Sequence, residues 1–305
     1  VSDIITTHYM VSAIITTHNR LTLLKRAIES VKLQTYRNIE LIVVSDGSED
    51  GTKEYCETQK GLKYLHIPPE DSHGANHARN IGALNANGEY IAFLDDDDLW
   101  LPQKTEMQLN ALVQNPDCDV CCCNHYIINE YSQKYFENVW YKNLSLNSYI
   151  EKVDVAKKCL YQYQAITSEL MIRKETLLRI GLFDEALTAA QETEMLIRLF
   201  QISKLIRIHV SLVVYNESNV NTARRTSCNI QNWKKSINYI YKKHHTLFQK
   251  LNKTERIQVS YNQYALTALK YKNSNQRLMQ QYYILRMKFC RLQTKIAENL
   301  GYKLS

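Results

Sequence analysis

Proline and glycine are scarce in this sequence of 305 residues, which contains 4 and 8 of them respectively. Disordered segments and long linkers are usually rich in such residues, so the chain is expected to fold along most of its length. No apolar run approaches the roughly 20 residues that a membrane-spanning helix needs, and no signal-peptide pattern opens the sequence. The sequence therefore predicts a protein that does not cross a bilayer by itself.

Cysteine pairs suited to a disulfide framework or a complete zinc site are also lacking. Three of the eight cysteines, Cys121, Cys122 and Cys123, are adjacent, and neighbours on a strand point to opposite faces. Cys118 and Cys121 have the spacing of half a zinc site, but no second pair of matching spacing follows. We expect buried, reduced thiols in a cytoplasmic protein.

Acidic residues are nearly absent from the C-terminal quarter of the chain. Residues 231–305 contain 15 lysines and arginines but only two acids, Glu255 and Glu298, although the net charge of the whole chain is only +7. The basic character therefore belongs to the tail. A charge split of this kind is typical of a surface that meets anionic lipid or nucleic acid.

A run of four aspartates, Asp95–Asp98, follows the apolar segment Tyr90–Leu94. An apolar run of this length is typical of a strand buried on both faces. Two carboxylates about 4 Å apart repel by roughly 1 kcal/mol in water. A divalent cation with oxygen ligands, Mg²⁺ or Mn²⁺, would neutralise the run and complete its shell with substrate phosphates. A solvated acidic turn is the other interpretation.

Strand and helix patterns alternate up to this aspartate run. Strands are predicted at residues 11–16, 39–44, 62–67 and 90–94, and helices at residues 21–33, 53–58 and 74–87. The alternation predicts a mostly parallel sheet flanked by helices, with ligands at the carboxyl ends of its strands. Three polar segments fall at those ends, at residues 16–19, 46–48 and 95–98.

Five motifs follow one another in this half of the chain: Ile14–Arg20, Ser30–Tyr36, Ile42–Thr52, Ala78–Asn80 and Gly88–Asp98. In this order and spacing they resemble the family 2 glycosyltransferases, and the resemblance covers Val11 to about Asn221. It implies an α/β fold of the GT-A type, Rossmann-like, with a mostly parallel sheet flanked by helices. It also implies an inverting, metal-dependent enzyme with a nucleotide-sugar donor, usually a UDP-sugar.

The resemblance further implies which residues bind the nucleotide. Thr16 matches a position at the nucleoside, and Asp46 matches the aspartate that accepts a hydrogen bond from the uracil ring. Ser45 stands where the family usually has a first acid. His18 and Asn19 are candidates for donor contacts at the neighbouring strand end.

The aspartate run matches the Asp-X-Asp motif of the family. Asp97 is expected to ligate Mn²⁺ or Mg²⁺ directly, and Asp95 to lie near the ribose or to reach the metal through water. Asp96 is expected among the donor-binding residues. Asp98 is expected to support its neighbours from behind or to begin a helix.

A Gly-x-Phe-Asp-Glu stretch at Gly181–Glu185 precedes the helical pattern that begins at Gln191. In the family the acid at this helix start is the catalytic base, and the matching position is Glu192. The family more often has aspartate there, so Glu194 is the alternative. Both acids could instead merely favour the positive end of a helix, worth about 0.3–1 kcal/mol.

We expect three segments in the chain. Residues 1–10 are expected to be an upstream remnant, because Val1–His8 nearly repeats Val11–His18. Residues 11–221 are expected to form the GT-A catalytic domain, and residues 222–305 a basic, α-helical C-terminal domain. Arg224 and Arg225 could hold the diphosphate or simply begin the tail.

Three interpretations fit the helical, cationic tail. It could pack as a bundle on the catalytic domain or on a second subunit, which would make a homo-oligomer. It could attach peripherally to the anionic inner face of the plasma membrane, where each lysine or arginine adds about 1 kcal/mol. It could bind nucleic acid, but no motif for nucleic-acid recognition is present, so no such partner is expected.

The expected activity is metal-assisted transfer of a hexosyl or N-acetylhexosaminyl group from a UDP-sugar. The acceptor would be a hydroxyl of a glycan, lipid-linked or cell-envelope molecule, as in polysaccharide biosynthesis. A nucleotidyltransferase is an alternative, but it would need a glycine-rich basic loop that Thr17–Leu21 does not supply. A non-catalytic module that binds nucleotides or sugars is the other alternative.

Overall fold

The computed structural model describes residues 8–129, 134–137, 159–160, 165–216, 229–273 and 276–299. These residues divide into two compact units. The first unit contains residues 8–129, 134–137, 165–185 and 198–216, and the second contains residues 159–160, 186–197, 229–273 and 276–299. Most of the proposed upstream remnant, residues 1–7, lies outside the described residues.

The described strands of the first unit form one mixed, nine-stranded sheet. They are β1 (Val11–Thr17), β2 (Ile39–Asp46), β3 (Leu62–Ile67), β4 (Tyr90–Asp95), β5 (Leu99–Trp100), β6 (Cys118–Asn129), β7 (Lys134–Glu137), β8 (Met171–Arg173) and β9 (Lys204–Asn216). The order across the sheet is β3-β2-β1-β4-β8-β6-β9-β5, and β7 pairs with β6. The antiparallel strand β8 joins the first four strands to the rest.

The first four strands run parallel, so their carboxyl ends lie along one edge of the sheet. β1 lies between β2 and β4. The chain therefore builds β2 and β3 on one side of β1 and then crosses to the other side for β4. Such a reversal of strand order leaves a crevice at the strand ends, where ligands bind in open α/β sheets. The predicted alternation of strands and helices is confirmed over this half.

Helices of the first unit cover the sheet with their apolar faces. They are α1 (Leu21–Lys32), α2 (Thr52–Glu57), α3 (Ala75–Asn85), α4 (Lys104–Gln114) and α5 (Lys174–Arg179). Leu24, Ile28 and Val31 of α1 are buried, as their helical spacing predicts. Gly82 brings α3 close to β1, because a β-carbon there would lie 2.5 Å from Ile14 Cγ2.

The cysteines of β6 lie in the interior of the first unit. Cys118, Cys121, Cys122 and Cys123 are all buried, and every cysteine in the described part of the chain is free. Burial raises the pKa of the Cys122 thiol to about 11, so this thiol stays protonated and unreactive at neutral pH. The predicted buried strand thiols are confirmed.

The described elements of the second unit are helical. They are residues 191–197 of α6 (Gln191–Leu199), α7 (Ile230–Lys243), α8 (His245–Gln249), α9 (Lys253–Asn273) and α10 (Arg277–Asn299). Asn229 begins α7 by accepting hydrogen bonds from the backbone N–H groups of Gln231 and Asn232. None of the described helices is both long enough and apolar enough to span a membrane.

The first tail helix is shorter than its apolar pattern predicts. Apolar residues recur at helical spacing from Trp233 to Leu251. The structure instead ends α7 at Lys243 and begins α8 two residues later. His244 lies at the break with its ring buried, and its Nε2 is 3.0 Å from Glu194 Oε1. The helix thus breaks at a residue that contacts Glu194, 50 positions earlier in the chain. The local sequence pattern cannot predict such a contact.

Candidate active site

Polar residues from three parallel strands meet at the carboxyl edge of the sheet. The register of β1 sets Thr16 beside Asp95 of β4 and Thr17 beside Ser45 of β2. Asp46 ends β2 one residue later. Thr16, Asp46 and Asp95 therefore lie at the same edge of the sheet, where the strand order reverses, as the sequence predicts.

Asp46 is a buried acid with a defined contact at one of its two carboxylate oxygens. Its Oδ2 accepts a 2.9 Å hydrogen bond from the backbone N–H of Gly74, a residue whose φ of +90° favours glycine. Its Oδ1 is buried and has no hydrogen-bond partner among the described residues. Leaving a buried acceptor unpaired costs about 1–3 kcal/mol. The end of β2 thus offers a fixed, desolvated acceptor that a ligand N–H could satisfy.

His18 and Asn19 tie the loop after β1 to the loop after β2. His18 donates from Nδ1 to the backbone carbonyl of Asp46. Asn19 donates its backbone N–H to Ser48 Oγ at 3.0 Å, and its Oδ1 accepts from the N–H of Glu49 at 2.8 Å. Both side chains are exposed at this edge. The structure brings them together with Asp46, and their contacts with a donor stay a prediction.

Two arginines partly neutralise the aspartate run. Arg20 places Nη2 2.6 Å from Asp96 Oδ1 and Nη1 3.1 Å from Asp97 Oδ2. Arg79 of α3 donates from Nη2 to Asp95 Oδ1 at 2.6 Å. Sequence reasoning did not assign either arginine to the site. Each lies within one of the five motifs, and this position is the feature of the sequence that could have assigned them to the site.

Asp96 points into the protein. Its side chain is buried, and Oδ2 accepts a 2.6 Å hydrogen bond from Thr17 Oγ1. Burial raises the pKa of Asp96 to about 7, and the attraction of Arg20 opposes this shift without cancelling it. In the structure Asp96 holds Arg20 and Thr17, and its predicted contact with the donor stays a prediction.

Asp98 supports the turn that follows β4. It is buried, with Oδ2 accepting from Ser168 Oγ at 2.6 Å and Oδ1 accepting from the N–H of Asn216 at 3.1 Å. Ser168 Oγ also accepts from the backbone N–H of Asp95 at 3.1 Å. Loss of hydration raises the pKa of Asp98 well above its usual value. Asp98 therefore positions Asp95 from behind through Ser168.

Asp95 and Asp97 have the more accessible carboxylates of the run. Their side chains are 32% and 16% exposed. A carboxylate has about four lone-pair sites, so the arginine contacts leave capacity for a cation. Oxygen donors of this kind suit Mg²⁺ or Mn²⁺. No group of three or more acidic, histidine or cysteine side chains that could hold a metal occurs in the described ranges, so an ion would need diphosphate or water oxygens as well.

Glu192 and Glu194 lie in the first turn of α6, in the second unit, and differ in their surroundings. Glu194 is fully buried, and its Oε1 lies 2.8 Å from Lys243 Nζ and 3.0 Å from His244 Nε2. Glu192 is only half-buried. Glu194 therefore has a structural role, which favours Glu192 as the acid for chemistry. The assignment of the base stays a prediction, and Arg224 and Arg225 lie outside the described residues.

Comparisons with known proteins agree with this geometry. The Glycosyl transferase family 2 model matches residues 12–172. An uncharacterized glycosyltransferase of Rickettsia typhi is 32% identical over 218 residues, which are 70% of this chain and 67% of that protein. The UDP-Glc:alpha-D-GlcNAc-diphosphoundecaprenol beta-1,3-glucosyltransferase WfgD of Escherichia coli is 37% identical over 128 residues, 41% of this chain and 49% of that protein.

A fold likeness extends over nearly the whole chain. The crystal structure of S. aureus TarS 1-349 in complex with UDP superposes with a TM-score of 0.56 at 16% identity. The match covers 97% of this chain and 93% of that one. At this identity the likeness concerns the fold alone.

Proposed function

The chain belongs to glycosyltransferase family 2, and we propose that it transfers a sugar from a UDP-sugar to a hydroxyl of a glycan, lipid-linked or other cell-envelope acceptor. The main support is the buried Oδ1 of Asp46 at the end of β2, which has no hydrogen-bond partner among the described residues. The N3–H of a uracil ring would supply the missing donor. The name of the E. coli relative gives UDP-glucose and a diphosphoundecaprenol-linked acceptor, which are substrates of the same classes.

Mn²⁺ or Mg²⁺ fits the oxygen donors of Asp97 and Asp95. Asp97 would ligate the ion directly, and Asp95 would lie near the ribose or reach the ion through water. When bound, the ion supplies Lewis-acid stabilisation of the charge on the departing diphosphate. The contacts of Arg20 with Asp97 and of Arg79 with Asp95 hold these carboxylates in place for that purpose.

Glu192 would act as the general base. It would take the proton of the acceptor hydroxyl while the hydroxyl oxygen bonds to the anomeric carbon and the bond to the UDP oxygen breaks. A single displacement of this kind inverts the anomeric configuration. Glu194 is less suited to this role because its buried carboxylate already binds Lys243 and His244.

The basic charge of the tail supports the proposal that the enzyme acts at the surface of an anionic membrane. With 15 basic and two acidic residues, residues 231–305 would favour the inner face of the plasma membrane over a purely cytoplasmic location. A lipid-linked acceptor would be within reach there. The alternative is that the tail helices join copies of the chain in a homo-oligomer. A nucleic-acid partner is not proposed.

Two alternatives make different predictions for the same assay. A non-catalytic module of this fold would bind UDP-sugars without releasing UDP. A nucleotidyltransferase would instead produce nucleotide-sugar and pyrophosphate from a nucleoside triphosphate and a sugar phosphate.

The proposal is tested by a donor screen. UDP-glucose, UDP-galactose and their N-acetyl forms are incubated with Mn²⁺ and candidate acceptors, and UDP release is measured. At least one donor should give metal-dependent release, and Asp97→Ala and Glu192→Gln should each lower turnover by about 10² or more. Folding should stay intact, as checked by thermal melting.

Glu175→Gln is the matched control for Glu192, because Glu175 is an exposed acid in the first turn of α5. Turnover in this control should stay normal. Near-normal turnover in Glu192→Gln would remove the base assignment. Binding of UDP-sugars with no release from any donor would favour the non-catalytic module.

A further inference from the structure

The outer face of α10 carries an exposed apolar stripe. Its members are Leu278, Tyr282, Leu285, Phe289 and Leu292, which alternate in steps of four and three residues and so lie along one side of the helix. Their exposed fractions are 83%, 49%, 63%, 56% and 56%. The stripe is about 21 Å long. This is a large apolar surface for one helix to present to water.

The opposite side of α10 has its partner within the second unit. Tyr283 stacks on Tyr271 of α9 with ring centroids 5.5 Å apart, and Cys290 is buried. Arg286 donates to the hydroxyl of Tyr264 at 2.7 Å. The packing of α10 on α9 is therefore complete without the stripe, which faces away from it.

Basic side chains flank the stripe on both sides. At 100° per residue, Arg277, Lys288 and Lys295 fall on one flank and Arg286 on the other, and all four are exposed. No acidic residue occurs between positions 277 and 297. An apolar face whose flanking charges are all cationic is typical of a helix that lies in a membrane interface.

We propose that this face docks on an anionic lipid bilayer, with α10 lying in the plane of the interface. The leucines, Phe289 and Tyr282 would enter the boundary between head groups and acyl chains, and Arg277, Lys288 and Lys295 would contact lipid phosphates. Head-group phosphates have the charge complementary to this helix.

A second copy of the chain fits this face less well. In an antiparallel pair of copies joined along the stripe, Arg277, Lys288 and Lys295 of one copy would face the same residues of the other. In a parallel pair this row would face Arg286, so neither seam would gain an acidic partner. Like charges along such a seam are destabilising, and pairing helices usually carry opposite charges there. Charge complementarity therefore selects the bilayer.

The test uses the full chain and two vesicle types, one of phosphatidylcholine alone and one of phosphatidylcholine and phosphatidylglycerol in equal amounts. The protein should co-float with the anionic vesicles only. Because no donor or acceptor is present, the result does not depend on the proposed transferase reaction. Failure to bind either vesicle would overturn the proposal and leave the enzymatic function untouched.

The apolar stripe is tested by the double variant Leu285→Ser and Phe289→Ser. Binding to anionic vesicles should fall by about tenfold or more, because two large apolar side chains no longer enter the interface. Leu33→Ser with Leu84→Ser is the matched control, since both leucines are 61% exposed and lie in the first unit. Equal loss in both variants would overturn the assignment to α10.

The charge component is tested separately at Lys288 and Lys295, because Arg286 already contacts Tyr264. Lys288→Gln and Lys295→Gln should each weaken binding to anionic vesicles by about fivefold. Lys53→Gln and Lys60→Gln, at exposed lysines of the first unit, should leave binding unchanged. Light scattering provides the remaining check. If the chain were a dimer that the double variant Leu285→Ser and Phe289→Ser converted to a monomer, and if it bound no vesicles, the partner of the stripe would be a second copy of the chain and not a bilayer.

Discussion

At the scale of single residues, Asp46 is expected to decide which base the protein accepts. One oxygen of its carboxylate accepts from Gly74 and the other is buried without a described partner. In Asp46→Asn only one acceptor oxygen remains. If this oxygen keeps its hydrogen bond from the N–H of Gly74, the amide N–H of the new side chain faces the nucleotide base. Two donors, this N–H and the N3–H of uracil, would then point at each other. The same N–H would suit the N3 acceptor of cytosine.

Affinity for UDP should therefore fall by about tenfold or more in Asp46→Asn, and the preference for UDP over CDP should shrink or reverse. Calorimetric titration with both nucleotides measures this without turnover. Glu49→Gln, at an exposed acid in the same loop, is the control and should bind UDP normally. Unchanged UDP affinity in Asp46→Asn would remove this residue from the base site.

The residues of this site differ in how well the sequence predicts them. Thr16, Asp46 and Asp95 could be placed together because each lies within one residue of the end of a parallel strand, and such ends share one edge. Arg20 and Arg79 could not, because neutralising the aspartates depends on how the loop before α1 and the helix α3 direct these side chains toward the edge. The charge of the run alone suggests a divalent metal ion or a solvated acidic turn, whereas the structure supplies two protein cations.

At the scale of secondary-structure elements, local patterns predicted the first half of the sheet and the tail helices. The predicted GT-A-type α/β fold, followed by a helical C-terminal part, is confirmed. β9 was not predicted, because Lys204, Arg207 and His209 interrupt its apolar pattern. Arg207 is nonetheless buried, which only the tertiary structure explains.

The start of α6 is held by α7, and this contact predicts different roles for its two acids. Within the second unit Glu194 binds Lys243 and His244, and the N–H of Ala189 donates to the buried Ser236 Oγ at 3.2 Å. Glu194→Gln should lower the free energy of unfolding by about 1–3 kcal/mol, because a buried ion pair is lost. Urea denaturation measures this loss.

Kinetics should separate Glu194 from Glu192. Glu194→Gln should lower kcat by displacing the start of α6, with little change in the KM for the UDP-sugar, and should lower stability as well. Glu192→Gln should lower kcat at unchanged stability. The opposite pattern, with a stable but inactive Glu194→Gln and an active Glu192→Gln, would exchange their roles.

At the scale of the whole molecule, the proposed functions are divided between the two units. The residues proposed to bind UDP and the metal belong to the first unit, whereas the proposed base and the basic helices belong to the second. A division based on sequence at residue 221 would instead assign Glu192 to the same domain as the donor site. If the division by structure is right, the C-terminal helices are needed to position Glu192 for catalysis. If the division by sequence is right, they are not.

A chain ending at residue 228 distinguishes them. It lacks Ser236, Lys243 and His244, the partners that hold residues 189 and 194. We expect it to bind UDP like the full chain, because Asp46 and its contacts are retained, while turnover on a water-soluble acceptor falls by about 10². Calorimetry with UDP confirms that the truncated chain is folded before turnover is compared. Full turnover would mean that the C-terminal helices only anchor the enzyme and that α7 is not needed to position Glu192.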